Sequence, residues 1–203
     1  MIRMETTGPI WRATLDRPAK ANALTEQMLQ DLLHFAQDAA HSGARGLILT
    51  GAGAAFSAGA DLEAARAGLA TSDLWERLSG AIAAFPGLSI CALNGALAGG
   101  AMGMALACDL RIAVPQVKIF YPVMKLGFLP QPSDPPRLRA LIGPARSKMI
   151  LMAGQKIQAQ EALEWGLIDR IVPPDMLLDN AHQLMADVTN ATAHHGAAIK
   201  ALI

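Results

Sequence analysis

No charged side chain occurs from Leu78 to Cys108, and on either side short apolar runs alternate with mixed, polar-rich segments. Inside the uncharged run, Leu88–Leu93 reads as a strand covered on both faces. Asn94-Gly95 is a strong turn dipeptide, and a short helix opens at Gly99-Gly100. Pro86-Gly87 and Asn94-Gly95 divide the run into pieces too short to span a bilayer, so it reads as buried core and no membrane is expected. Residues 10–16 alternate like a strand. Thr25 is placed to cap a helix whose apolar face carries Met28, Leu32, Phe35, Ala36 and Ala39. Residues 45–50 form a short strand, and residues 51–61 a loop of small side chains ending at Asp61, a candidate helix cap. A helix is predicted over 74–85, ending before Pro86.

Strands are predicted at 109–114 and 117–121. The proline-rich stretch 127–136 reads as irregular. Helices follow at 144–153 and Ala159–Trp165, then a strand at 168–172. Asp175 is expected to cap one last long helix. Strands and helices alternate, so the class is α/β or mixed α+β, in a single domain covering 1–203.

Composition narrows the function. The chain has 203 residues, 52% hydrophobic and 17% charged, with zero net charge, so it packs a core and presents no basic footprint for nucleic acid. Cys91 and Cys108 lie in apolar surroundings and read as buried thiols of a reducing, cytoplasmic compartment. The N-terminal residues lack the apolar core of a secretory signal.

Several chemistries fail on spacing. Gly51-Ala52-Gly53 after a strand raises a dinucleotide fingerprint, but the third glycine position is Phe56. The acidic residue near the required distance, Asp73, sits in a helical stretch. Ser57 lacks the glycine frame of a nucleophile elbow. His34, His41, His182, His194 and His195 have no metal-ligand spacing, so no metal is expected. What remains is two small-residue loops, each after a buried strand, each offering backbone N–H groups. The first N–H groups of a helix lack partners and lie at its positive end, so Gly99-Gly100 is suited to hold developing negative charge; tight helix–strand packing is the alternative.

Four segments together resemble the crotonase superfamily, the enoyl-CoA hydratase/isomerase family. They are Ala21-Asn22-Ala23-Leu24; Ala55-Phe56-Ser57-Ala58-Gly59-Ala60-Asp61-Leu62; Asn94-Gly95 with Gly99-Gly100 and Ala107-Cys108-Asp109; and Ala159 through Pro173 with Glu161-Ala162-Leu163 and Gly166-Leu167-Ile168-Asp169. The resemblance implies a spiral of β-β-α units with helices around it, C-terminally shortened, and trimers or hexamers. It implies a CoA thioester as substrate with no separate cofactor. It places an oxyanion hole on the N–H groups of Ala60 and Gly100. Ala21, Ala23, Ala58, Asp61, Leu62, Gly99, Pro122 and Val123 become substrate-binding positions.

The departures are chemical. The two glutamates of the family's hydratases fall on Gly103 and Val123, neither of which can move a proton. A lysine that often follows the Ala-Asp-Leu triplet is Glu63. The hydratases' glycine-rich loop is replaced by Gln131-Pro132-Ser133-Asp134-Pro135. Asp134 is the nearest ionisable substitute; the alternative is that it caps a helix starting near Pro135. The chain also ends short of helices that cover the acyl pocket in relatives, which predicts an open or partner-completed pocket. Three functions compete: an acyl-CoA enzyme with non-hydratase chemistry, an inactive acyl-CoA binder, and a dinucleotide-binding oxidoreductase.

Overall fold

After an opening strand pair within one sheet, the chain winds through strand pairs split between two sheets, in a computed structural model that describes residues 1–6 and 8–203. β1 (Ile2–Glu5) lies antiparallel to β2 (Ile10–Leu15), and α1 (Glu26–His41) follows. The first full turn is β3 (Gly46–Gly51), β4 (Ala55–Ser57), α2 (Leu62–Arg66) and α3 (Leu74–Ala83). The next is β5 (Leu88–Leu93), β6 (Ala96–Ala98), a 3₁₀ turn (Gly99–Ala101) and α4 (Met102–Ala107). The third is β7 (Leu110–Ala113), β8 (Lys118–Phe120), α5 (Val123–Leu126) and α6 (Asp134–Leu151). β9 (Ile157–Gln158), α7 (Ala159–Trp165), β10 (Arg170–Ile171), α8 (Leu177–Leu184), α9 (Ala186–Asn190) and α10 (Ala193–Lys200) complete the chain.

One sheet has the order β1-β2-β3-β5-β7-β10 and the other β4-β6-β8-β9. The pairings β3–β5–β7 and β4–β6–β8 are parallel, so successive turns stack as a spiral of β-β-α units, with one register shift between Ala55 and Ser57. Parallel strands need covered faces, and strand alternation supplies two apolar sets. Leu47, Leu49, Cys91 and Leu93 face the main core with α1, α3 and α4. Ile48, Ile90, Ala92 and Ile112 face α8 through Leu177 and Ala181. Among the described residues no helix is long and apolar enough to cross a membrane, and Cys91 and Cys108 are buried free thiols.

Two expectations are corrected. The stretch 127–136 is not irregular throughout, because α6 begins at Asp134. Pro135 and Pro136 are tolerated because the first N–H groups of a helix have no intrahelical partner to lose. Ser133, not Asp134, stands at its N-cap position, and α6 is broken at Gly143, whose φ of 75° is non-helical. The last long helix is three pieces. Asp175 lies in a 3₁₀ turn and makes no capping bond, while Thr192 starts α10 by accepting from the His195 N–H at 3.2 Å. A hydroxyl cap of this kind draws the backbone out of a continuous helix.

No side chain of α10 is buried. Its Lys200 ammonium donates to the Gly87 carbonyl at 3.0 Å and to Asp109 Oδ2 at 2.7 Å. Beneath it lies a cleft of about 890 Å³ walled by Leu110, Leu184, Val188 and Ile199.

Candidate functional site

The loop after β2 is held in an uncommon backbone conformation by buried amide chemistry. Ala21 and Asn22 have φ of 48° and 54°, a region where asparagine is tolerated better than most residues. The fully buried Asn22 amide donates to the Ala52 and Ala55 carbonyls at 2.9 and 2.7 Å, and its oxygen accepts from the Arg17 N–H at 2.8 Å. Ser57 Oγ donates to the Asn22 carbonyl at 2.8 Å, and the Ala58 N–H to that of Ala21 at 2.9 Å. Asp61 caps α2 as expected, accepting from the Glu63 N–H at 3.0 Å, and pairs with Arg17 at 2.7 Å. The Arg17 bond, ahead of those caps, lowers the Asp61 pKa below the usual carboxylate range. Ala21, Ala58 and Leu62 are exposed, while Ala23 and Asp61 are half-buried, so these positions form one accessible rim.

Leu24 bridges to the following segment, its N–H donating to Gly59 O and its carbonyl accepting from the Asp61 N–H, both at 2.8 Å. Successive amides of an extended chain point to opposite sides, so the Ala60 N–H faces away from Leu24. It has no acceptor among the described residues. The preceding residue, Gly59, packs against the start of the 3₁₀ turn. A Cβ on Gly59, whose φ is +90°, would lie 2.9 Å from Ala98 O and 3.5 Å from Gly100 N. Only glycine permits this approach. The two loops that sequence reasoning singled out are thus in backbone contact, with Ala60 and Gly100 each next to the contact. Asn94 fixes the strand ends behind them, accepting from the Gly51 N–H at 3.0 Å and donating to Gly53 O at 2.9 Å.

One face of the 3₁₀ turn and α4 is glycine-lined. A side chain at Gly100 would meet the Trp75 indole at 3.1 Å, and that indole is anchored by its N–H to Leu69 O at 2.7 Å. One turn on, a Cβ at Gly103 would lie 3.1 Å from Asp134 Oδ1 and 3.6 Å from Ser79 Cβ. Asp134 has no solvent exposure. The Tyr121 hydroxyl donates to its Oδ2 at 3.0 Å, whereas Oδ1 has no partner among the described residues. Burial pushes the carboxyl pKa up to about 6, Glu76 adding to the rise while Tyr121 and Arg137 oppose it. Burial, and then Asp134, push the tyrosine hydroxyl well above its ordinary pKa. Ser133 ties this corner to α3, its N–H and Oγ donating to Glu76 Oε2 at 3.2 and 3.0 Å. The expectation that Asp134 caps its helix is therefore replaced by a side-chain contact with Tyr121.

Pro122 is half-buried and Val123 buried at the start of α5, where Val123 offers methyl groups alone. Gly51-Ala52-Gly53 leads into β4, not into a helix, so no helix N-terminus faces that turn as a dinucleotide site needs. Among the described residues no metal-binding cluster of His, Cys, Asp or Glu occurs. Sequence reasoning missed Tyr121, Trp75 and Glu76. Tyr121 is the chain's only tyrosine, directly before Pro122, and that isolation was its one signal.

Comparison with known proteins agrees with this fold. Residues 5–203 match the enoyl-CoA hydratase/isomerase family. The Bacillus subtilis enoyl-CoA hydratase/isomerase homologue YngF is 37% identical over 183 residues, covering 87% of this chain and 70% of that protein. A carnitinyl-CoA dehydratase of Salmonella arizonae is 35% identical, covering 98% of this chain and 78% of that one. The crystal structure of an enoyl-CoA hydratase from Bacillus anthracis superposes with a TM-score of 0.87 at 31% identity, over 95% of this chain and 78% of that chain.

Proposed function

The chain belongs to the enoyl-CoA hydratase/isomerase family, and from that membership we propose that it binds an acyl-CoA thioester and stabilises the thioester enolate between the N–H groups of Ala60 and Gly100. The observation that carries this reading is the Gly59 contact with Ala98 and Gly100, which sets a free Ala60 N–H beside the start of a helix. Preorganised N–H donors aimed at a developing oxyanion stabilise it without reorganisation during the reaction. The exposed rim of Ala21, Ala58 and Leu62 takes the CoA portion, with Ala23 and Asp61 behind it and Gly99, Pro122 and Val123 nearer the acyl group.

The reaction is not hydration. Adding water to an enoyl thioester needs one group to activate the water and one to protonate carbon. The family positions for those groups carry Gly103 and Val123 here. An inactive acyl-CoA binder is the second reading, and the same lack of side-chain acid and base at those two positions favours it. A thioester labelled with ¹³C at the carbonyl separates oxyanion-hole binding from loose binding. Its infrared carbonyl band moves to lower frequency when two N–H groups polarise the oxygen; an unshifted band in the bound state rejects the proposed site.

Association into trimers or pairs of trimers is part of the same reading. Leu62, Met124, Leu126 and Leu129 are each more than half exposed near the site, and apolar surface of this kind is normally covered by association. Light scattering at micromolar concentration tests it, and a monodisperse monomer rejects it. The buried thiols Cys91 and Cys108 suit a reducing, cytoplasmic setting.

A further inference from the structure

We infer that Asp134 is the proton-transfer residue of this chain, reaching from the N-terminus of α6 into the space over Gly103 and moving a proton at the carbon next to the thioester carbonyl. The inference rests on the oxyanion reading above and goes beyond it by assigning a chemical step. In that step Asp134 Oδ1 takes the α-proton. The C–H electron pair becomes the enolate double bond, and the carbonyl π pair moves onto the oxygen held by Ala60 and Gly100. Return to the α-carbon after the carboxyl has traded that proton for one from solvent gives exchange, and return to the γ-carbon of a 3-enoyl chain shifts the double bond. No oxidant, reductant or second base is needed.

Three observations carry the assignment. Asp134 is fully buried and one carboxyl oxygen has no partner among the described residues, a costly state for a group with only a structural task. That oxygen is 3.1 Å from the Cβ position of Gly103, so the carboxyl occupies the space which a side chain at 103 would enter. Gly103 follows Gly100 by one helical turn, about 5 Å of rise, which is the reach from an oxyanion to the carbon skeleton beyond it. The other oxygen is fixed by the Tyr121 hydroxyl, which orients the carboxyl. The groups facing it are Tyr121 before α5, Glu76 and Ser79 on α3, and Ser133 and Arg137 at the start of α6. Glu76 is itself engaged by Ser133 through Oε2, whereas Asp134 Oδ1 is buried with no partner among the described residues.

The test uses butyryl-CoA labelled with ¹³C at the carbonyl, in D₂O, with the intact protein, Asp134→Asn and Tyr121→Phe. Deuterium entry at the α-carbon is followed by mass spectrometry, and the carbonyl band of the bound thioester is recorded in parallel. The native protein is expected to exchange α-protons, and Asp134→Asn to lose at least about 100-fold in that rate while keeping the shifted carbonyl band. Tyr121→Phe removes a hydroxyl that favours the carboxylate, so the low-pH limb of its exchange profile should move to higher pH. Equal exchange by Asp134→Asn overturns the assignment, as does a native protein that shifts the band without exchanging. An unmoved pH limb in folded Tyr121→Phe also overturns it. An unshifted band in the native protein instead rejects the oxyanion site on which the assignment rests.

Discussion

Arg17 and Asp61, 44 residues apart in sequence, meet at 2.7 Å and fasten the loop after β2 to the first turn of α2. The pair holds the Asp61 pKa below its ordinary value of 3.8. Its contribution to stability is therefore present above that value and is lost as pH falls through the lowered one. We expect the melting-temperature gap between native protein and Asp61→Asn to be constant from about pH 8 to 5 and to close below about pH 4. A thermal-shift series across pH checks this; a gap that widens in acid contradicts the pairing.

Asp134 has the opposite sign. Its folded-state value of about 6 lies above the ordinary 3.8, so the fold is favoured when the carboxyl is protonated and loses that benefit as pH rises through about 6. The difference amounts to about 3 kcal/mol of penalty at pH 8. Asp134→Asn should therefore raise stability relative to the native protein at pH 8 by up to ~3 kcal/mol more than at pH 4. Urea denaturation at the two pH values measures it. An equal effect at both would show that burial does not set this group's protonation.

Gly59→Ala should damage both fold and site. It forces a side chain into a backbone with φ of +90° and places Cβ 2.9 Å from Ala98 O. Strain of this kind costs about 1–3 kcal/mol. A lower denaturation midpoint is expected, together with loss of the bound thioester's carbonyl shift, since Ala60 and Gly100 would move apart. Retention of the full shift would separate the proposed oxyanion donors from this contact.

Crotonyl-CoA should not be hydrated. A missing general acid or base commonly costs about 10²–10⁴-fold, and the proposed function puts Gly103 and Val123 where both would be needed. Loss of the crotonyl-CoA absorbance is the measurement. Turnover near 1–10³ per second, the ordinary range of enzymes, would mean that another pair of groups activates water.

Local chemistry made much of this legible in advance. The Thr25 cap is where a hydroxyl ahead of a periodic apolar face predicts it, accepting from the Met28 N–H at 3.3 Å. Asp61 caps α2, and β5 is buried on both faces as its uncharged run requires. The three-residue strands β4 and β6 were not legible. Each is built of Ala, Ser, Phe or Leu with no alternation to detect, and they exist because the spiral stacks them side by side. The start of α6 was hidden by prolines that look like breakers yet cost nothing in a first turn. In the site, the glycine-rich loops were visible because backbone donors leave a compositional trace. The Tyr121–Asp134 bond leaves none, since it joins the residue after β8 to the first residue of α6, and its direction depends on how α6 packs beside α4.

The attachment of α10 has a consequence for how the molecule breathes. A helix with no buried side chain, tied by Lys200 across the rim of a cleft, gives up two polar contacts and little apolar burial when it lifts. Its opening free energy is set apart from that of the spiral beneath, so its amides should exchange with solvent as one early cooperative unit while those of β3, β5 and β7 wait for global unfolding. The ammonium of Lys200 thus acts as a latch, and proteolytic nicking should begin at the 191–192 junction before any strand of the six-stranded sheet is released.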